Sequence, residues 1–161
     1  MIPTIAFLES AERRFAVQYP PVFKTWCSSG GSIQISADSL QAARIDFICD
    51  LERLRNVNRQ VGEEEWGAYE QALAGTRHPK DSDRLWGGIL PFATDSDADV
   101  FGFDVERPES ERVLVWSVHT IVHEYPSLAS FFEAVRSWAD QARTTGLGMD
   151  GSSDKWNAKN A

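Results

Sequence analysis

Three extended segments in the second half of the chain constrain the fold more than any other feature. The stretches "RLWGGILPFATD", "DVFGFDVE" and "RVLVWSVHT" are rich in β-branched and aromatic residues, with the apolar runs or the period of two that are typical of strands. An aspartate-rich turn joins the first two stretches, and "RPESE" joins the last two. Because connections this short favour antiparallel hairpins, we predict a mainly antiparallel sheet.

Helical periodicity surrounds these segments. Apolar residues recur at three- and four-residue spacing over residues 3–18, from about Asp38 to Leu54, in "EEEWGAYEQAL" and in "SLASFFEAVRSWADQAR", which Ser127 would cap. The stretch "YPPVFKTWCSSGG" predicts a short helix that starts at the prolines and stops at the glycine pair. We therefore predict one α+β domain over residues 1–145, with helices packed against the sheet, and a flexible polar tail over 146–161.

The charge of the chain limits its partners. Its formal net charge is −8 and its pI is about 4.8, which argues against a general nucleic-acid or anionic-membrane surface and favours a basic partner. The first residues lack a basic leader followed by an apolar stretch, and no segment approaches the roughly 18 apolar residues of a membrane span. We expect a cytoplasmic protein, with export by a signal-less route left open.

The cysteines and histidines do not form a recognisable catalytic or metal-binding motif. Cys27 and Cys49 are far apart in sequence, so we expect two free thiols, with Cys27 buried. His119 and His123 have the four-residue spacing of zinc ligands on a helix, but their segment predicts a strand and its exit. We expect ordinary strand-end histidines and no cofactor.

The segment from residue 95 to residue 106 resembles a calcium loop in its spacing. Asp95, Asp97, Asp99 and Glu106 occupy the loop positions 1, 3, 5 and 12 that supply ligands in an EF-hand. The sixth position requires a glycine for its sharp turn and here holds Val100, and a strand follows where a helix should. We therefore predict a polar turn that leads into a strand, with no bound metal.

The order of these motifs along the chain resembles that of a known family. A proline, aromatic residues at the third and sixth positions after it, and a glycine pair occur at Pro20, Phe23, Trp26, Gly30 and Gly31. An apolar strand, an acidic turn, an aromatic strand, a strand with tryptophan and a closing helix follow at Ile89, Leu90, Pro91, Phe92, Asp99, Phe101, Asp104, Trp116, Ser130 and Phe131. This order resembles the SMI1/KNR4 family, or SUKH superfamily, which commonly has glycine where this chain has Ala98.

The resemblance implies a function in binding rather than in catalysis. Members of this family fold as α+β domains, and many bacterial members are immunity proteins that neutralise toxins, often nucleases. The chain is then expected to be a non-enzymatic antitoxin whose partner is a cognate toxin with a basic surface. Two alternatives stay open: a regulatory scaffold without a toxin partner, and a metal-dependent enzyme built on Asp95, Asp97, Asp99 and His119.

Two groups of acidic residues form the candidate partner-binding surface. They are Asp95, Asp97, Asp99 and Glu106 around one predicted hairpin, and Glu63 and Glu64 in a second run. A nuclease needs a cationic surface for phosphate, so an inhibitor that covers it benefits from negative charge. An ordinary solvated acidic face is the alternative. If the aspartates form the interface, we expect their reversal to slow association and to leave the fold intact.

Overall fold

The computed structural model describes residues 1–31, 34–72, 83–107 and 109–145. In these ranges helices and an antiparallel sheet form one α+β domain, as predicted. The predicted tail over 146–161 lies outside the described residues. The helices are α1 (Ile5–Phe15), α2 (Pro21–Ser28), α3 (Ala37–Ala42), α4 (Leu51–Val61), α5 (Glu63–Ala72) and α6 (Leu128–Thr145). The strands are β1 (Asp46–Phe47), β2 (Ile89–Thr94), β3 (Val100–Asp104), β4 (Val113–Ser117) and β5 (Thr120–Tyr125).

Short-range contacts set several helix boundaries. The side chains of Thr4, Ser36 and Asp50 accept hydrogen bonds from backbone N–H groups three residues ahead, at the starts of α1, α3 and α4. Ser127 accepts in the same way from the N–H of Ser130, at 3.1 Å, which confirms the predicted cap of α6. Each such cap stabilises its helix by about 1 kcal/mol.

The continuous helix predicted from Asp38 to Leu54 is wrong. The chain leaves the helical conformation at Arg44, where φ is +57°, and then forms the two-residue strand β1 beside β2. Phe47 on β1 is buried, and its ring centroid lies 6.3 Å from that of Phe92. Burying this aromatic side chain against the sheet outweighs the local helical preference.

The sheet is an antiparallel meander in which the strands follow the order β1-β2-β3-β4-β5. The single strand predicted over residues 112–120 is wrong at its end. β4 stops at Ser117, and the chain turns at Val118 and His119 before it returns as β5. The last described strand is thus β5, at the edge of the sheet next to β4.

The core lies between one face of the sheet and the helices α2 and α6. Phe23 of α2 contacts Phe92 at a centroid distance of 5.1 Å, and Phe101 contacts Phe131 of α6 at 5.0 Å. Phe101 is fully buried and Trp116 is 7% exposed, which confirms both as buried residues. Aromatic packing of this kind holds the sheet and the two helices in one arrangement.

Candidate partner-binding surface

The aspartates at the β2–β3 connection build the turn itself. Asp95 Oδ1 accepts hydrogen bonds from the N–H of Asp97 at 3.0 Å and from the N–H of Asp99 at 3.1 Å. The backbone of Asp95 also bonds to Asp99 and to Ala98. This arrangement is the side-chain-supported turn that aspartate favours, and it matches the predicted polar turn.

Burial of two of these aspartates changes the expected effect of charge reversal. Asp95 is 9% exposed and Asp99 is 6% exposed, whereas Asp97 is half-buried. Lysine at position 95 would remove an acceptor for two N–H groups and place an ammonium group in a confined site. We therefore expect reversal of all three aspartates to destabilise the fold, so this variant does not test binding cleanly.

Glu106 does not lie with the aspartate turn. It follows β3 at the opposite end from Asp99, and its N–H donates to Asp104 Oδ1 at 3.0 Å. The five residues of β3 separate the two ends by roughly 15–20 Å at the usual rise of a strand. Glu106 and the three aspartates, which the sequence grouped around one hairpin, thus lie at opposite ends of β3.

The position of Ala98 in this turn provides a first prediction. Ala98 has φ of +63°, a left-handed conformation in which an L side chain is strained and glycine is not. We expect Ala98→Gly to raise the free energy of unfolding by about 0.5–1 kcal/mol, because relief of strain exceeds the added entropy of the unfolded chain. Urea denaturation measures this change, and a lower unfolding midpoint would contradict it.

The second acidic run lies at the start of α5. Glu63, Glu64 and Glu65, here called the acidic run, are all exposed. They line a cleft of about 230 Å³ together with Trp116, His119 and Ile121 from the β4–β5 hairpin. Gln60, the penultimate residue of α4, donates from Nε2 to the Ala98 carbonyl at 3.4 Å, so the residues just before the run contact the aspartate turn. The run therefore shares one end of the sheet with the aspartate turn.

Aromatic and amide contacts hold α5 in this position. The Trp66 and Tyr69 rings of α5 lie 5.6 Å and 5.4 Å from the ring of Trp86. Trp86 is in turn held by Asn58, a fully buried residue of α4. Asn58 Oδ1 accepts from the Trp86 N–H at 2.9 Å, and its Nδ2 donates to the Arg84 carbonyl at 2.6 Å. The contact of Asn58 with Trp86 and Arg84 could not be predicted, because a lone asparagine on a helix forms no distinguishing sequence pattern.

The β4–β5 hairpin exposes apolar side chains beside the cleft. Val118, Ile121 and Val122, here called the apolar tip, are 71%, 42% and 39% exposed. The turn has two residues, between the paired Ser117 and Thr120, and φ is positive at Val118 and at His119. Turns of this kind prefer Asn-Gly, and a β-branched residue there costs about 1–2 kcal/mol. The absence of that turn signal explains why the sequence predicted one continuous strand.

The histidines and cysteines that the structure describes do not converge into a metal site. His119 is exposed in the turn, and His123 packs its ring 4.5 Å from that of Tyr125. Partial burial lowers the pKa of His123, although the neighbouring Glu124 opposes the shift. Burial raises the pKa of the Cys27 thiol to about 12. In the described ranges no cluster of three or more His, Cys, Asp or Glu side chains is arranged to hold a metal ion.

Neither membrane-spanning helices nor known relatives indicate a function for this chain. None of the helices in the described part of the chain has the length and apolar character needed to cross a bilayer. No protein-family model, curated protein or solved structure gives a significant match to the chain.

Proposed function

We propose that this chain is a non-enzymatic immunity protein that neutralises a cognate toxin by covering a basic surface of that toxin, such as the phosphate-binding surface of a nuclease. The observation that carries the proposal is the exposed acidic run at the start of α5, a helix that packs on Trp86. The resemblance of the sequence to SMI1/KNR4 immunity proteins points to the same function.

The acidic run has more charge than the start of a helix needs. One carboxylate in the first turn already interacts favourably with the helix dipole. Three consecutive residues of a helix spread over roughly 200°, so their side chains project across a wide arc. Trp66 and Tyr69 attach α5 to Trp86, and Asn58 binds the backbone of Trp86 and Arg84, so the run is fixed to α4 and to the segment before β2. A preformed acidic surface speeds the approach of a basic protein and costs little ordering when the two bind.

Several less exposed carboxylates have structural partners, which favours binding over catalysis. Asp83 Oδ1 accepts from Arg55 Nε at 2.6 Å, and Glu12 Oε1 accepts from Lys24 Nζ at 2.8 Å. Asp95 accepts from the turn backbone. These groups support the fold, whereas the acidic run is exposed to solvent and available to a partner. A cytoplasmic location follows from the proposal, because a nuclease toxin acts on nucleic acid inside the cell.

The proposal is tested by searching the genes that adjoin this one for a toxin domain and by using that domain, inactivated by mutation, in binding assays. One variant reverses the whole acidic run to lysine. A matched control makes Glu9→Lys, Glu52→Lys and Glu133→Lys on other helices, which changes the net charge equally and includes a first-turn residue of α4. Association rates are measured by biolayer interferometry from low to high salt, and protection is measured by co-expression with the active toxin.

We expect the run variant to associate roughly tenfold more slowly at low salt, to lose most of the salt dependence and to protect cells poorly. The association rate of the control variant and its salt dependence should stay closer to those of the wild type. Equal behaviour of the two variants would mean that the acidic run is only a solvated helix end. If the wild-type chain neither binds the toxin nor protects cells, the immunity function is wrong, and a regulatory scaffold becomes the better interpretation.

A further inference from the structure

We infer that the apolar tip, Val118, Ile121 and Val122, is the anchor of the interface and inserts into an apolar depression on the toxin that is flanked by lysine or arginine side chains. The inference rests on the proposed immunity function and adds the part of the surface that holds the complex together. The acidic residues alone do not explain why the β4–β5 hairpin exposes apolar side chains, and an anchoring role does.

Exposure of large apolar side chains is concentrated at this hairpin. In the described residues, the large hydrophobic side chains that are exposed are Met1 and the three members of the apolar tip. Two members follow each other on β5, and the third is at the turn before it. A cluster of exposed apolar groups on an otherwise polar surface is typical of a site for protein–protein contact.

The conformation of Val118 favours a role in binding over a role in stability. Its φ of +47° is unfavourable for a β-branched residue, and Asn or Gly would form the same turn with less strain. Val118 therefore destabilises the free protein while it presents its side chain to solvent. Strained backbone tends to cluster at functional sites, where the side chain contributes to binding although it lowers the stability of the fold.

The surroundings of the apolar tip define the chemistry of its partner. Ile121 lines the same cleft as the acidic run, so apolar and acidic groups form one continuous surface. Tight interfaces have an apolar centre that a polar rim shields from water. A second copy of this chain fits poorly, because a two-fold arrangement would bring the two acidic runs towards each other. An anionic membrane is disfavoured for the same electrostatic reason.

The test compares two substitutions that relieve left-handed strain in neighbouring turns. Val118→Asn removes an apolar side chain of the tip, whereas Ala98→Gly removes only an exposed methyl group from the aspartate turn. Both variants should melt at a higher temperature than the wild type, by about 2–4 °C. Val118→Asn should also weaken binding to the inactivated toxin domain roughly tenfold, mainly through faster dissociation, and Ala98→Gly should leave binding unchanged.

A second variant tests the part of the apolar tip that lies on β5. Ile121→Ser is expected to weaken the same complex roughly tenfold while the free protein stays folded. If Val118→Asn and Ile121→Ser both bind as the wild type does, while reversal of the acidic run weakens binding, the anchor is wrong and the immunity function stands. If the wild-type chain binds no toxin, both proposals fail. A concentration-dependent dimer in sedimentation that Val118→Asn abolishes would instead assign the tip to self-association and overturn the inference.

Discussion

Replacing Phe101 with alanine is expected to lower the free energy of unfolding by about 3–5 kcal/mol. The side chain is fully buried on β3, with its ring 5.0 Å from that of Phe131 and 6.3 Å from that of Trp138. Truncation removes apolar contacts with α6 and leaves a cavity that rigid aromatic neighbours cannot fill. Since small domains are stable by about 5–15 kcal/mol, this loss is a large part of the total.

Equilibrium denaturation in urea measures the effect of Phe101→Ala, and Phe101→Leu provides the graded control. Leucine keeps most of the apolar volume, so its cost should be clearly smaller than that of alanine. An unchanged unfolding midpoint for Phe101→Ala would contradict the register of β3, because a shift of one residue moves every side chain to the other face of the sheet.

Replacing Gly62 with alanine is expected to destabilise the protein by about 3 kcal/mol, at the upper end of the usual cost of overpacking. A Cβ atom at this position would lie 1.9 Å from Trp86 Cβ and 2.7 Å from Trp86 Cγ. Trp86 cannot move aside freely, because Asn58 holds its backbone N–H at 2.9 Å. The clash must therefore displace α5, which carries the acidic run.

Gly67→Ala is the matched control on the same helix. A Cβ atom at Gly67 meets nothing within 4 Å, and alanine is the better helix former, so this change should stabilise the protein by about 0.5–1 kcal/mol. Thermal and urea unfolding compare the two variants, and toxin binding by Gly62→Ala reports whether α5 has moved. Similar stability of the two variants would show that α5 does not pack closely on Trp86.

The candidate surface was only partly predictable from sequence. The acidic run was identified as a candidate because consecutive glutamates are visible in the chain, and the structure places it on an exposed helix end. The aspartates were grouped with Glu106 because they are close in sequence, but β3 separates them in space. The apolar tip was missed because its turn lacks the residues that normally mark one.

Local interactions explain what the sequence by itself determined. The apolar and β-branched runs of β2, β3 and β4, the cap at Ser127 and the stop of α2 before Gly30 all depend on residues within a few positions of one another. The α+β class follows from these elements, because an apolar strand face and apolar helix faces are buried together.

Only the tertiary structure decided the features that require distant residues to meet. Packing of Phe47 against the sheet breaks the helix predicted from Asp38 to Leu54, and Asn58 joins α4 to the segment before β2. The meeting of the acidic run with Ile121 joins residues more than fifty positions apart in the chain. No local pattern encodes such contacts, because their free energy comes from burial and hydrogen bonding that exist only after the sheet and helices have assembled.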